Sequence, residues 1–254
     1  MKNIFSIKGK VALVTGSTGA LGNTFARGLA QHGAAVILNG RNKVKLAEKV
    51  QEMMDEGFNV YGFAFDVTRS EEIDLAISRI EKEVGPVDIL VNNAGITLRA
   101  PLEAYKDEDW DKVIGINLTG PYLVAKAVVQ SMIKKKSGKI INIGSVQNEL
   151  GRPTIAPYAA SKGGLKMLTK GMAIDWAKYN IQVNGIGPGY FKTEMTKPLY
   201  ENPEFDAWLC GRTPSNRWGD PEELLGALFF LASDASSYVN GHTIYVDGGL
   251  LASV

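Results

Sequence analysis

VALVTGSTGALG, residues Val11 to Gly22, passes from an apolar run into a glycine-rich turn and on into a segment of helical period. A run apolar on both faces suits a strand covered by helices, not one with a face in water. At such a strand-to-helix junction glycines let backbone N–H groups approach a pyrophosphate, while the helix N-terminus supplies partial positive charge. Gly16, Gly19 and Gly22 equally serve a tight turn and close helix–sheet packing, so the turn alone leaves both readings open.

The same alternation runs outward to both ends of the chain. AVILN (35–39), VYGFAF (60–65), DILVN (88–92), KIINI (139–143), IQVNGI (181–186) and HTIYV (242–246) read as further strands. Between them SEEIDLAISRIEKEVGP places Ile73, Ile77, Ile80 and Val84 at helical spacing, with Ser70 expected as the cap and Gly85-Pro86 as the stop. In DPEELLGALFFLAS, Asp220 is the expected N-cap, Pro221 fits the first turn and Glu223 completes a capping box. Repeated strand–helix–strand units imply a parallel sheet with right-handed crossovers and helices on both faces. No linker, repeat or low-complexity tract interrupts them, so one domain is expected over 1–254.

Composition narrows the function classes. With 254 residues, 45% hydrophobic and 22% charged, the chain is an ordinary globular one. Its 28 basic and 27 acidic side chains give a formal charge of +1, which argues against a nucleic-acid partner. Lys134, Lys135 and Lys136 are expected to be a solvated last helical turn. The single cysteine, Cys210, excludes an intrachain disulfide and a Cys-rich zinc site. Two histidines far apart, His32 and His242, support neither a metal site nor a Ser-His-Asp triad. MKNIFSIKGK lacks a signal-peptide core, and LLGALFFLA falls short of the ~20 residues of a membrane span, so a soluble cytoplasmic protein with no membrane partner is expected.

The second strand ends in LNGRN. Where an acid would hold both ribose hydroxyls of NAD stands Asn39, with Arg41 two residues on, and a guanidinium suits a 2′-phosphate better. NADP(H) is therefore expected over NAD(H). Asp66 at the end of the third strand offers an acceptor to an adenine amino group, and NNAG (92–95) ends the fourth. In YAASK, Tyr158 and Lys162 lie four apart on one helical face, which brings a phenol and an ammonium to one side of a pocket.

The glycine turn, FDV, NNAG, GINLTG, IGS, YAASK and GPGYFKTEM stand in an order and spacing that resembles the short-chain dehydrogenase/reductase family from about Lys8 to Gly249. The resemblance implies a three-layer Rossmann-type doubly wound α/β fold with a mostly parallel seven-stranded sheet. It also implies a catalytic set of Asn117, Ser145, Tyr158 and Lys162. Tyr158 would exchange a proton with the reacting oxygen, its phenol of ordinary pKa about 10 made more acidic by the nearby ammonium. Ser145 would hydrogen-bond that oxygen, Lys162 would hold the nicotinamide ribose, and Asn117 would position a water. The cofactor would contact Gly16, Thr18, Gly19, Leu21, Gly22, Asn39, Arg41, Asp66, Val67, Asn93, Ala94, Gly95, Tyr158, Lys162, Pro188, Gly189 and Thr193. One departure stands out: the family turn reads T-G-x-x-x-G-x-G, whereas here Ala20 takes the sixth place and glycine has moved to Gly19. The basic residue that many NADP users carry beside that place is also missing.

Beyond GPG the family folds a lid over the substrate, expected here over about 193–220 and rich in large side chains. SVQNELGRP, FDAWLCGRTP and RWGDPEEL are similar to the gluconate 5-dehydrogenase group within the family, which implies interconversion of D-gluconate and 5-keto-D-gluconate. Arg99 and Arg152 are the candidates for the substrate carboxylate; Gln147, Asn148, Glu149 and Tyr190 are candidates for its hydroxyls, with Ser145 and Tyr158 at the reacting carbon. Leu165, Met167, Leu168, Met172, Ile174 and Trp176 spread over more than one helical face, which calls for a subunit contact, and the resemblance implies a homotetramer. A 3-oxoacyl-thioester reductase or another sugar or polyol dehydrogenase would share the scaffold. A nucleotide-sensing module or an interaction scaffold would have no use for the catalytic set.

Overall fold

A computed structural model describes residues 3–253. In chain order the elements are β1 (Val11–Val14), α1 (Ala20–Gln31), β2 (Ala35–Asn39), α2 (Lys43–Asp55), β3 (Val60–Phe63), α3 (Ser70–Glu83), β4 (Ile89–Asn92), α4 (Asp107–Ile114), α5 (Gly120–Lys135), β5 (Gly138–Ile143), α6 (Ala156–Trp176), β6 (Ile181–Pro188), α7 (Lys197–Tyr200), α8 (Pro203–Arg212), α9 (Leu225–Ala232) and β7 (Thr243–Val246). The strands form one seven-stranded parallel sheet in the order β3-β2-β1-β4-β5-β6-β7. This is the doubly wound Rossmann-type arrangement, and the chain reverses direction across the sheet between β1 and β4. At that switch point the loops leaving the two strands part and open a crevice at their carboxyl ends.

Strand alternation divides the core in two. Ala12, Val14, Val36 and Leu38 join Phe25, Leu29 and Leu228 on one face of the sheet. Leu13, Ile37 and Leu90 join Ile77, Val124, Val128 and Met172 on the other. Both faces are dry, which is why the strands carry no polar stripe.

The structure refines several local expectations. Ser70 is the first residue of α3 and not its cap; the cap position is Arg69, which offers no side-chain hydrogen bond. Asp220 and Glu223 do form the capping box, but Pro221–Leu224 is a tighter 3-10 turn that precedes α9. Lys135 is not simply solvated: its Nζ lies 2.6 Å from Asp88 Oδ1 and 3.0 Å from the Val87 carbonyl, tying α5 to the start of β4. Lys136 adopts a left-handed conformation as the C-cap of α5.

Between α4 and α5, Gly115–Thr119 widens into a π-helical turn. The continuous helix Asp107–Lys135 has the length and composition of a membrane span, with a window of mean hydropathy 1.2. It is the central helix packed on the sheet, with 44% of that window buried.

Candidate active site

The crevice holds a cavity of about 470 Å³. Every residue named from the sequence for the cofactor lines it, from Gly16 in the glycine turn to Thr193 at the root of the lid. Gly16 has φ +64°, and a Cβ there would lie 2.9 Å from Ala94 Cα. At Gly22 a Cβ would lie 2.4 Å from the Gly16 carbonyl oxygen and 2.6 Å from Asn93 Nδ2. Those two positions therefore require glycine. Gly19, the N-cap of α1, has an ordinary φ of −93° and no atom closer than 3.5 Å to a built Cβ. Ala20 begins α1 on the cavity wall.

The turn fits a diphosphate. α1 starts without a side-chain cap and without an acid in its first turn, so its N-terminal N–H groups and dipole face the cavity uncancelled. Asn93 braces the turn by donating from Nδ2 to the carbonyls of Thr15 (2.9 Å) and Gly16 (3.3 Å).

Asn39 stands at the cavity with its amide already engaged. Oδ1 accepts from the Gly16 N–H at 3.3 Å, and Nδ2 donates to the carbonyls of Phe63 and Phe65 at 3.2 and 3.1 Å. It joins β1, β2 and β3 at the turn and contributes its surface to the wall. Arg41, by contrast, is 65% exposed and lies 3.5 Å from Asp66 Oδ2. Burial works against the Asp66 carboxylate, but hydrogen bonds from the Thr68 N–H and hydroxyl, with the charge of Arg41, hold it below its ordinary range. Arg41 is thus a tethered cation at the rim.

The four residues of the expected catalytic set arrive from three places in the fold: the π-helical turn, the end of β5 and α6. Asn117 is fully buried in the π-helical turn; Oδ1 accepts from the Ile96 N–H and Nδ2 donates to the Ile96 carbonyl, both at 2.9 Å. The bulge turns this amide inward onto the segment leaving β4, a common use of such a turn. Ser145 follows β5 and accepts from the Gln147 N–H at 3.1 Å. Tyr158 lies in the first turn of α6 and Lys162 one turn later, its Nζ 5.6 Å from the Tyr158 ring centroid. Lys162 Nζ donates to the Ile143 carbonyl at 2.7 Å.

The electrostatic balance differs from the expectation of an acidified phenol. Burial pushes the Tyr158 hydroxyl up, opposed by a hydrogen bond from Ser145, with a further upward push from Tyr190. Burial also pushes Lys162 down to about 8. Desolvation, which penalises the phenolate and the ammonium alike, is the largest cause in both cases.

Arg99 and Arg152, separated widely in sequence, converge. Burial and the like charge of Arg152 push Arg99 down, with Tyr190 acting in the opposite sense. Arg152 stacks over Phe205 at 4.2 Å and has Nη1 3.5 Å from the Tyr190 hydroxyl. Their loops are joined by the Ala100 N–H, which donates to the Thr154 carbonyl at 3.1 Å. Thr154 has φ +70°, unusual for a β-branched residue. Neither arginine has an acidic partner among the described residues. Gln147 is 6% exposed, and its Oε1 has no hydrogen-bond partner among the described residues; neither has Thr97 Oγ1.

Asn148 and Glu149 are occupied elsewhere. Asn148 Oδ1 accepts from the Ser145 N–H, and Glu149 is bound by Lys166 and Tyr245. The engagement of Glu149 has no signature in sequence, because its partners lie on α6 and β7. Sequence reading also missed the apolar walls Ile96, Ile143 and Met195. Ile96 and Ile143 had a usable signal, since each follows or ends a strand at the switch-point side of the sheet.

Most of the lid's large side chains pack on one another. Trp218 is 5% exposed, donates from Nε1 to Asp206 Oδ1 at 2.6 Å, and meets Tyr190 and Tyr200 edge-on at 5.7 and 5.8 Å. Arg217 forms a two-pronged pair with Glu223, and Arg212 bonds the Leu250 and Ser253 carbonyls. Tyr190 and Phe205 are the lid-side aromatics that reach the arginines.

Comparison with known proteins identifies the family to which the chain belongs. A family described as Enoyl-(Acyl carrier protein) reductase matches residues 16–251. The chain is 52% identical, over the full length of both, to a 5-keto-D-gluconate 5-reductase of Escherichia coli K12. It is 50% identical over 99% of its length, and 96% of the relative's, to a 2-dehydro-3-deoxy-D-gluconate 5-dehydrogenase of Formosa agariphila. A crystal structure of a gluconate 5-dehydrogenase from Burkholderia cenocepacia J2315 in complex with NADP and tartrate superposes with TM-score 0.97 at 52% identity, covering 99% of each chain.

Proposed function

The chain belongs to the short-chain dehydrogenase/reductase family of nicotinamide-dependent oxidoreductases, and from that premise we propose that it interconverts D-gluconate and 5-keto-D-gluconate with NADP(H). The observation that carries the substrate class is the convergence of Arg99 and Arg152, without an acidic partner among the described residues, around a tyrosine within electrostatic reach of Tyr158. Two guanidiniums, one stacked on Phe205 and both carried on loops joined by a backbone hydrogen bond, suit a carboxylate. A sugar acid also supplies hydroxyl donors for the unpartnered Gln147 Oε1.

The bound nicotinamide supplies or accepts the hydride. In reduction Tyr158 donates its hydroxyl proton to the oxygen of the reacting carbon, and in oxidation it takes that proton back. Its raised pKa keeps the phenol protonated at neutral pH, which favours its acid role in reduction. Ser145 donates to the same oxygen, and its own hydroxyl is oriented by the Gln147 N–H. Lys162, anchored on the Ile143 carbonyl, holds the ribose hydroxyls and stabilises negative charge developing on Tyr158. Asn117, locked on Ile96, orders a water between Lys162 and solvent. Arg41 takes the 2′-phosphate, for which it would release Asp66. Tyr190, Phe205 and the lid cover the substrate and exclude water.

The working assembly we propose is a cytoplasmic homotetramer, supported by Met167 and Ile174, which project from α6 at 61% and 77% exposure. The Formosa relative favours a second reading within the same substrate class, a 3-deoxy keto acid reduced at the same carbon.

Initial rates with NADPH, and separately NADH, should be followed by absorbance against 5-keto-D-gluconate, a 2,5-dioxo-3-deoxy acid, D-fructose and an acetoacetyl thioester. Fastest turnover of 5-keto-D-gluconate with NADPH is expected. A preference for the deoxy acid would move the substrate within its class, and a preference for the thioester would overturn it.

A further inference from the structure

Ser145 and Tyr158 must meet on one oxygen, yet they stand on separate pieces of the fold. Ser145 leaves the end of β5, and Tyr158 sits in the first turn of α6. The intervening chain contains the exposed Gly151, Pro153 and Thr154 and is irregular around them, so it does not by itself fix one against the other.

A polar knot outside the cavity joins the loop after Ser145 to α6 and β7. Glu149 Oε1 pairs with Lys166 on α6 and accepts from the Tyr245 hydroxyl on β7 at 2.5 Å. Asn148 Nδ2 lies 3.4 Å from the same Tyr245 hydroxyl, while its Oδ1 accepts from the Ser145 N–H at 3.2 Å. Lys166 follows Tyr158 and Lys162 along one face of α6 at successive four-residue steps. Gly187 leaves room for the Tyr245 ring, since a Cβ there would lie 2.3 Å from it. The protonation states suit the knot. Hydrogen bonds from Lys166 and Tyr245 hold Glu149 below its ordinary range, while burial and Glu149 push Tyr245 up to about 12.

We infer that Glu149, through Lys166 and Tyr245, is a positioning residue that fixes the distance between Ser145 and Tyr158. The inference rests on the roles proposed above for those two residues. Magnitudes separate positioning from bulk stability. Glu149 and Lys166 keep 35% and 26% of their side-chain surface exposed, so the pair adds little to folding. A misplacement of about 1 Å at reacting groups, by contrast, can cost up to about 100-fold in rate.

The test is Glu149→Ala in the full-length enzyme and again in a Ser145→Ala background, read as kcat, KM, NADPH affinity and Tm. Expected is about a tenfold fall in kcat with NADPH affinity unchanged and Tm within about 3 °C. In the Ser145→Ala background the further fall should shrink below about twofold, because the group being positioned is gone. Glu149→Gln, which keeps both acceptor contacts, should recover most of the rate, and Lys166→Met should reproduce part of the loss even if Glu149→Ala folds poorly. Unchanged kcat, or the same fold-loss in both backgrounds, would overturn the inference. Full activity in Ser145→Ala alone would instead overturn the role proposed for Ser145.

Discussion

Replacing Arg99 or Arg152 by methionine keeps an aliphatic stem and removes the charge, which isolates the anion subsite. A guanidinium meeting a carboxylate in a partly shielded cleft contributes about 1.5–3 kcal/mol net, or about 10- to 150-fold in kcat/KM. The lower end applies to Arg99, which is exposed and screened by solvent. A larger loss is expected at Arg152, which is half-buried, stacked on Phe205 and beside Tyr190. Because the carboxylate is bound equally in ground and transition states, the loss should fall mainly on KM. Arg152→Lys should land between wild type and methionine, since it keeps charge but loses the planar stack. The assay is initial-rate NADPH oxidation with 5-keto-D-gluconate, compared with D-fructose, which lacks the carboxylate. An equal fractional loss on both substrates, or no loss on the keto acid, would refute the assignment.

Arg41→Ala should weaken NADPH about tenfold or more while leaving NADH nearly unchanged, measured by fluorescence titration; equal losses would remove the 2′-phosphate contact. Gly22→Ala should cost about 1–3 kcal/mol of stability by overpacking against the Gly16 carbonyl, whereas Gly19→Ala should be tolerated, and a thermal melt of both variants decides it. Burial lowers Lys162 from 10.5 to about 8, so between those pH values the unfolded chain holds the extra proton and stability climbs with pH. The penalty is complete below about pH 8 and gone above about 10.5, so wild-type Tm should gain on that of Lys162→Met across this window. A constant gap would place the lysine in a solvated environment.

Much of this was legible in sequence because a parallel sheet buried on both faces must be written in apolar runs, and its switch point lies where the glycine turn and NNAG lie. AVILN coincides with β2, while VYGFAF overshoots β3 by two residues because the ladder with β2 ends at the Asn39–Phe63 pair, where β2 itself ends. The convergence of Arg99 and Arg152 could be named only as two separate candidates, since the backbone link between Ala100 and Thr154 has no local sign. Asn39 shows the opposite limit. Its place at the end of a strand marks it for a ligand, but the tertiary fold spends its amide on Gly16, Phe63 and Phe65. The π-helical turn at Gly115–Thr119 was equally silent, because flanking glycines tolerate several helical pitches.

The proton-exchanging role of Tyr158 is tested most directly by Tyr158→Phe, which removes one oxygen and leaves the ring beside Lys162 in place. NADPH affinity should stay within about twofold of wild type, while single-turnover reduction of 5-keto-D-gluconate should slow by roughly 10²–10⁴-fold. Comparable single-turnover rates in the two enzymes would contradict it.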